Sequence, residues 1–280
     1  MDIFFLQLGN GLILGSVYAL VALGINLIWS ITDVPDFAQG SVFVVSAYVG
    51  YFAVTLMRLP YVLALLLAMC VGAGMAFSTE RFLYRRWRGA GRVQVLCAIA
   101  LWFFWANVAN ALWTSKPKMF PAYLEGRAFG FSYMRIMVVA VAAVLFVLVF
   151  LFIMKTKTGK AIRAASQDAD MAQVLGISLN TINAVVFIMG GALSAAAAVL
   201  VSPLYSVYPS MADLPLLKAL VVVILGGFGS VAGVLVGGLG LGVLESLGTV
   251  YVSSAYQHGY AFVILILVLS FLPKGLFGRM

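Results

Sequence analysis

Long apolar runs, broken by short clusters of charged and turn-forming residues, cover almost the whole of this chain. Reading each run between its flanking charges, Gly and Pro predicts helices near 9–31, 37–57, 60–80, 93–113, 133–154 and 180–201. A Gly-rich region follows at 215–249, and a last apolar run covers about 258–272. A bilayer core of about 30 Å takes about 20 apolar residues per helix, so the six runs are long enough to cross. Within the Gly-rich region, LKALVVVILGGFGSVAGVLVGGLGLGVLES is read as two short helices meeting in a turn at Gly226, Gly227, Gly229 and Ser230. The chain then returns through YVSSAYQHGY to the final run. The expected fold is all-α, a polytopic integral membrane protein of eight to nine membrane segments, some short or broken at glycines, with residues 1–280 forming one transmembrane domain.

Composition agrees with the pattern and removes some function classes. Hydrophobic residues make up 64% of the 280 residues and charged residues only 9%, against roughly 45–50% apolar usage in soluble domains. No stretch remains for a soluble domain. No Lys or Arg precedes Arg58, so the positive region of a cleaved signal peptide is missing and the first run is kept as a helix. The formal charge of +8 comes from 17 basic residues that flank membrane segments, which topology explains better than nucleic-acid binding.

Those basic residues also orient the chain. Arg81, Arg85, Arg86, Arg88 and Arg92 follow the third run, and Lys155, Lys157, Lys160 and Arg163 follow the fifth. Both loops are expected on the cytoplasmic side. The loop at about 114–132 is then external, although Lys116, Lys118 and Arg127 depart mildly from the rule, and the link at 202–214 carries no Lys or Arg. The N-terminus is expected outside, and the tail with Lys274 and Arg279 inside.

Candidate chemistry is sparse. The nearest approach to a phosphate-cradling loop, Gly159-Lys160-Ala161, lacks the upstream Gly and the hydroxyl that would hold magnesium, so this chain is not expected to bind ATP. Its single histidine, His258, allows no histidine triad or metal cluster and is read as interfacial and non-catalytic. Cys70 and Cys97 sit inside apolar runs as small hydrophobes; no disulfide and no metal site is assigned, and no catalytic residue. Carboxylates within a membrane are costly and therefore functional candidates. Asp36 and Glu245 could serve a stand-alone, ion-coupled secondary carrier, the alternative function. Equally, Asp33 and Asp36 could cap a helix start beside Pro35, with Glu245 near an interface. The glycines from Gly226 to Gly242 either let helices pack closely or mark a broken helix lining a path.

The polar loop TKTGKAIRAASQDADMAQVLGIS, between the fifth and sixth runs, is the other anomaly. Ala161, Ala164, Ala165, Ala169 and Ala172 favour helix, Asp168 or Asp170 can cap or face a helix dipole, and Gly176 marks a stop. A small apolar stripe runs from Ile162 through Ala165, Ala169 and Ala172 to Met171, Val174 and Leu175. One or two short helices are predicted, too polar to span and marginal unless they dock on a surface. That surface is either the membrane or a partner.

Three blocks in order resemble a known family. GLILGSVYALVALGINLIWSITDVPDFAQGSVFVVSAYVG is similar to its opening helix, Asn-Phe-Ala-His-Gly element and Gly-Ala-Tyr. The polar loop with NTINAVVFIMGGALSAAAAVL forms the second block. LPLLKALVVVILGGFGSVAGVLVGGLGLGVLES matches its Leu-Lys-Ala, Gly-Gly-x-Gly-Ser and terminal Glu pattern. The family is the permease subunits of ABC importers of the branched-chain amino-acid type, which also includes urea and amide permeases.

The resemblance implies a subunit of the bacterial inner membrane that forms half of a translocation pathway. The other half would be a second permease, a related but different chain; two cytoplasmic ATPases would carry ATP and magnesium, and an external binding protein would deliver the solute. It also implies that the loop at about 155–179 couples to the ATPases, with Gly159, Arg163, Asp168, Asp170 and Gly176 as the coupling residues. Asp36, Phe37, Gln39, Gly40, Gly226, Gly227, Gly229 and Ser230 are the pathway candidates. Asp36 and Gln39 stand where the family usually has Asn and His, and Ser41 stands in place of a common Glu. These departures bear on the solute, which could be a larger or aromatic acid or an amide as well as an aliphatic amino acid.

Overall fold

The computed structural model describes residues 3–120, 126–128, 131–272 and 275–277, with the backbone alone for residues 127, 128 and 258. The tail positions Lys274 and Arg279 and the side chain of His258 lie outside the described residues.

The apolar runs fold as helices: α1 (Ile3–Thr32), α2 (Gln39–Thr55), α3 (Tyr61–Thr79), α4 (Gly91–Trp113), α5 (Tyr133–Lys155), α8 (Leu179–Val201), α9 (Asp213–Gly226), α10 (Val231–Tyr251) and α11 (Gln257–Phe271). The polar loop holds two short helices, α6 (Lys157–Ala165) and α7 (Ala169–Val174). A two-residue hairpin, β1 (Arg127–Ala128) and β2 (Phe131–Ser132), precedes α5. Among the described residues six helices are long and apolar enough to cross a membrane; Gln39–Thr55 and Gly259–Phe271 are shorter apolar helices. The chain is therefore a polytopic all-α membrane protein. The Gly-rich region splits as expected, but unequally, because α10 is itself of membrane-spanning length.

Breaks fall where backbone chemistry demands them. α1 stops at Asp33, which takes a left-handed conformation (φ 54°) just before Pro35. Arg58, also left-handed (φ 51°), precedes Pro60, which sits immediately before α3. α9 closes on Gly227 (φ 91°), a conformation that costs a residue with a Cβ. The Ser230 hydroxyl then accepts the Gly233 N–H at 3.0 Å and starts α10.

α1 occupies the centre, packed on α10, α8 and α9, while α3 lies along α8. Glycines set these approaches. A Cβ on Gly15 would stand 2.7 Å from the Gly238 carbonyl oxygen, and one on Gly11 would stand 2.6 Å from Val243 Cα. Gly24 meets Gly190 and Gly72 meets Gly191 in the same way, each at 2.8 Å from a carbonyl oxygen. Without a hydrophobic drive between helices in lipid, such close backbone contact supplies the dispersion energy of association.

Contacts sort the links into two ends. Asn10 accepts from Arg135, Lys118 forms a bridge with Val207, and Ser246 donates to the Gln7 carbonyl at 2.8 Å; these lie at one end. At the other end Arg88 reaches Asn180, Asn26 reaches Gly229, and the Leu276 and Phe277 N–H groups donate to the Leu225 and Gly226 carbonyls. The second end carries both basic loops and α6–α7.

Candidate functional site

At the basic end, α5 runs into α6 almost without a break. The Thr156 hydroxyl accepts the Gly159 N–H at 2.9 Å and caps α6. Gly159 is buried against the carbonyls of Phe152 and Ile153, leaving no room for a Cβ. Of the two carboxylates offered as caps, Asp168 takes the role, accepting the Met171 N–H at 2.8 Å at the start of α7. Asp170 stands exposed in the first turn, and Gly176 (φ 82°) ends the element. The apolar stripe does not stay on one face. The chain turns at Ser166–Gln167 between the helices, so Ile162, Ala165 and Ala172 are buried while Met171, Val174 and Leu175 are exposed. The coupling candidates thus divide into Gly159, which fixes the junction, Asp168 and Gly176, which shape the ends, and Arg163 and Asp170, whose side chains are available for contacts.

Arg163 lies against Met154 and lines a cleft of about 650 Å³ with Trp29, Asp33, Phe228, Gly229 and Phe277. The α9–α10 turn forms one wall. Asn26, fully buried in α1, accepts the Gly229 N–H at 3.0 Å, and Trp29 packs on Phe228 with ring centroids 4.6 Å apart. Gly226 is pressed on Gly233, where a Cβ would lie 2.5 Å from the Gly233 carbonyl carbon. Gly226 and Gly227 are therefore explained by the packing and the turn, whereas Gly229 and Ser230 reach the cleft. Asn26 was not singled out from the sequence; its signal was an amide in the middle of an apolar run.

Asp36 sits in the link between α1 and α2, fully buried. One of its carboxylate oxygens accepts the Ala38 N–H at 3.0 Å and the Tyr84 hydroxyl at 2.9 Å, and the other accepts the Gln39 amide at 3.2 Å. Burial nevertheless outweighs these three donors and raises its pKa to about 6. Gln39 is buried as well, Phe37 is half-buried, and Gly40 faces Trp102, whose ring a Cβ would meet at 2.6 Å. Among the described residues no hydrogen bond joins this group to the Gly226–Ser230 turn; the two pathway groups share an end without forming one cluster.

Tyr84 leads into a network the sequence did not reveal. α3 continues as a π-helical turn, Glu80–Tyr84, a feature frequent at functional positions. Glu80 is fully buried, paired with Arg85 at 3.2 Å and facing Arg88 at 4.0 Å. Arg88 also donates to Asn180 Oδ1 at 2.8 Å, at the start of α8 directly after the polar loop. The end of the loop is thereby tied through Arg88 and Glu80 to the α3 turn, and through Tyr84 to Asp36.

The last site lies toward the opposite end. Glu245, expected near an interface, is fully buried and paired with Lys218 of α9. Lys218 also donates to the Tyr18 hydroxyl at 3.1 Å. The available signal was a lone Lys and a lone Glu in one Gly-rich region, since charges inside a membrane are found paired, but the sequence reading did not join them. Both carboxylates considered for ion coupling are thus engaged, Asp36 by three donors and Glu245 by a cation. Among the described residues no three Asp, Glu, His or Cys side chains gather as a metal site.

Fold and site together define a polytopic helical membrane protein with a short helical element projecting at its basic end. A family model described as branched-chain amino acid transport system / permease component matches residues 7–270. The protein is 37% identical to the high-affinity branched-chain amino acid transport system permease protein BraD of Pseudomonas aeruginosa, over 98% of this chain and 95% of that one. It is 33% identical to LivH of Escherichia coli, a permease protein of the same description, over 99% and 96%. The chain belongs to this permease family and is a transport subunit. A chain of PsaBC from Streptococcus pneumoniae in complex with Fab shares the fold, with a TM-score of 0.52 at 15% identity over 98% of this chain and 93% of that one.

Proposed function

We propose that the chain is one half of the translocation pathway of an ATP-driven importer for amino acids, with branched-chain amino acids as the first solutes to test. The observation that carries this reading is near-full-length similarity to two permease proteins named for that transport. The basic end faces the cytoplasm under the positive-inside rule, which puts the N-terminus outside and the C-terminus inside, in a bacterial inner membrane.

A second, related permease completes the pathway, and an external binding protein supplies the solute. Two cytoplasmic ATPases hold ATP and magnesium, so this chain needs no cofactor of its own. Residues 1–280 act as one permease domain, and the loop at 155–179 meets an ATPase through exposed Met171, Val174, Leu175 and Asp170. ATPase closure pulls on α6–α7, and Gly159 transmits the movement to α5 while the Asn180–Arg88–Glu80 contacts transmit it to α3. The buried Asp36–Gln39 group and the cleft beside the Gly229–Ser230 turn rearrange as a result.

Reconstitution with the second permease, the ATPases and the binding protein tests this. Uptake of labelled leucine into proteoliposomes should require ATP hydrolysis and fail without the ATPases. Gradient-driven uptake by the isolated chain would refute it in favour of an ion-coupled carrier.

A further inference from the structure

A cavity of about 350 Å³ lies on the far side of the bundle from the α6–α7 element, lined by Leu14, Val17 and Tyr18 of α1, Tyr205 and Tyr208 of the α8–α9 link, and Lys218 among others. Lys218 is the one charged residue among the described residues that line it. An ammonium carries three donors. Glu245 and the Tyr18 hydroxyl accept two of them, and the third, without a hydrogen-bond partner among the described residues, can meet a group in the cavity. Glu245 Oε2, fully buried, has no hydrogen-bond partner among the described residues, a rare state for a buried polar atom. An adjoining cavity of about 220 Å³ shares Leu14, Tyr205 and Gln257 and holds a second cation, Arg135.

An ion pair is a poor device merely for joining α9 to α10, because apolar side chains of equal volume would hold two buried helices as well or better. It does suit a site that must receive a charged group out of water. Glu245 cancels the charge of Lys218, so a zwitterion enters a neutral site and leaves it neutral. The aliphatic and phenolic walls fit an apolar side chain, while Arg135 in the adjoining cavity supplies the positive charge that favours an approaching carboxylate.

We propose that this cavity binds a small apolar carboxylate, its carboxylate on the third donor of Lys218 and its side chain among Leu14, Val17 and Tyr208. The ligand is an apolar α-amino acid; that identity rests on the permease reading, whereas the carboxylate site itself does not. A fatty acid from the bilayer offers the same chemistry, and the experiment separates the two.

The intact transport complex in lipid nanodiscs is irradiated with a diazirine-bearing leucine analogue, and adducts are mapped by mass spectrometry. Adducts are expected within 201–218 and 14–18, suppressed by excess leucine but not by leucinamide, which lacks the carboxylate. Suppression by decanoate as effective as that by leucine would assign the site to membrane carboxylates and overturn the amino-acid ligand. Lys218→Met alone leaves an unpaired buried Glu245 and can fail to fold. The double variant Lys218→Met with Glu245→Leu leaves no uncompensated charge, and should lose at least about tenfold of the labelling. Labelling unchanged in the double variant, equal competition by leucinamide, or adducts elsewhere would overturn the proposal. ATP-driven leucine uptake measured on the same wild-type complex distinguishes the two readings: uptake without cavity adducts removes this site alone, and absence of both removes the proposed amino-acid solute.

Discussion

The long helices of this protein fall into two sets that their apolar character does not distinguish. In α1, α8 and α10, 89%, 72% and 50% of the most apolar stretch is buried; in α3, α5 and α4 the shares are 28%, 28% and 17%. Yet α5 is the most apolar of the six, and α1 is no more apolar than α3. In water the most hydrophobic helix would be buried first. In lipid, surface apolarity gains nothing from leaving the solvent, so burial is decided by shape and by polar partners. The inner helices carry most of these features, a glycine face on α1 and α10 and the buried side chains of Asn26, Tyr18 and Glu245, while the outer α3 shares in them through Gly72 against Gly191 and Glu80 in the turn that continues it.

The sharpest attempt to break that contrast uses two glycines of one helix. Gly242 lies against the backbone of Gly11 and Gly15, while a Cβ on Gly240 would meet nothing within 4 Å. Gly242→Leu should destabilise the chain by upwards of about 3 kcal/mol and Gly240→Leu by within about 0.5 kcal/mol, read as thermal midpoints in detergent. Equal midpoints would mean that glycine packing does not distinguish inner from outer surface.

Asp36 gives the next largest effect and extends the contrast to charge. Its folded pKa of about 6 lies above the ordinary carboxylate value of 3.8, so the fold favours its protonated form. That contribution is fully present below about pH 4 and is lost as pH rises through 6, a difference on the order of 2–3 kcal/mol. Stability measured across this window should therefore rise on acidification relative to Asp36→Asn, which removes the titration. Parallel curves for the two proteins would show that burial does not control this carboxylate.

Arg88 tests the tie between the polar loop and the α3 turn. Arg88→Ala removes the bond to Asn180 Oδ1, leaving Arg85 paired with Glu80 and 3.5 Å from the Asn180 carbonyl oxygen, so stability should fall by no more than about 1 kcal/mol. Solute moved per ATP hydrolysed should nevertheless drop several-fold; an unchanged ratio would take Arg88 out of coupling. Smallest in stability are changes on exposed surfaces. Val147→Ala on α5 and Asp170→Lys on α7 should each shift stability by within about 0.5 kcal/mol. Only Asp170→Lys should weaken ATPase association, measured by co-purification. Asp168 is unsuitable for this purpose, because its cap on Met171 would be lost together with its charge.

Much of this architecture was legible. The apolar runs marked the helices to within a few residues, except that α1 begins six residues earlier than expected, at Ile3; Pro35 and Pro60 marked breaks, and α6–α7 followed from Ala-rich stretches ended by Gly176. The site was less legible, because its groups meet across the chain. Asp36 stood out as a carboxylate, but its partner Tyr84 lies 48 positions away, in an arginine-rich stretch that reads only as a basic loop. Lys218 was present in a recognised pattern, yet pairing it with Glu245 required α9 and α10 to run side by side. The stripe from Ile162 to Leu175 looked continuous because a helical period ignores the turn at Ser166–Gln167.

By itself the sequence determined local matters: which segments are apolar helices, where the backbone must break, and which loops carry the positive charge. Those follow from composition and backbone sterics within a few neighbouring residues. Only the tertiary structure decided which helices stand inside, which glycines touch, and which buried charges are partnered. In a bilayer every apolar face is equally well solvated, so the choice rests on complementarity between surfaces far apart in the chain.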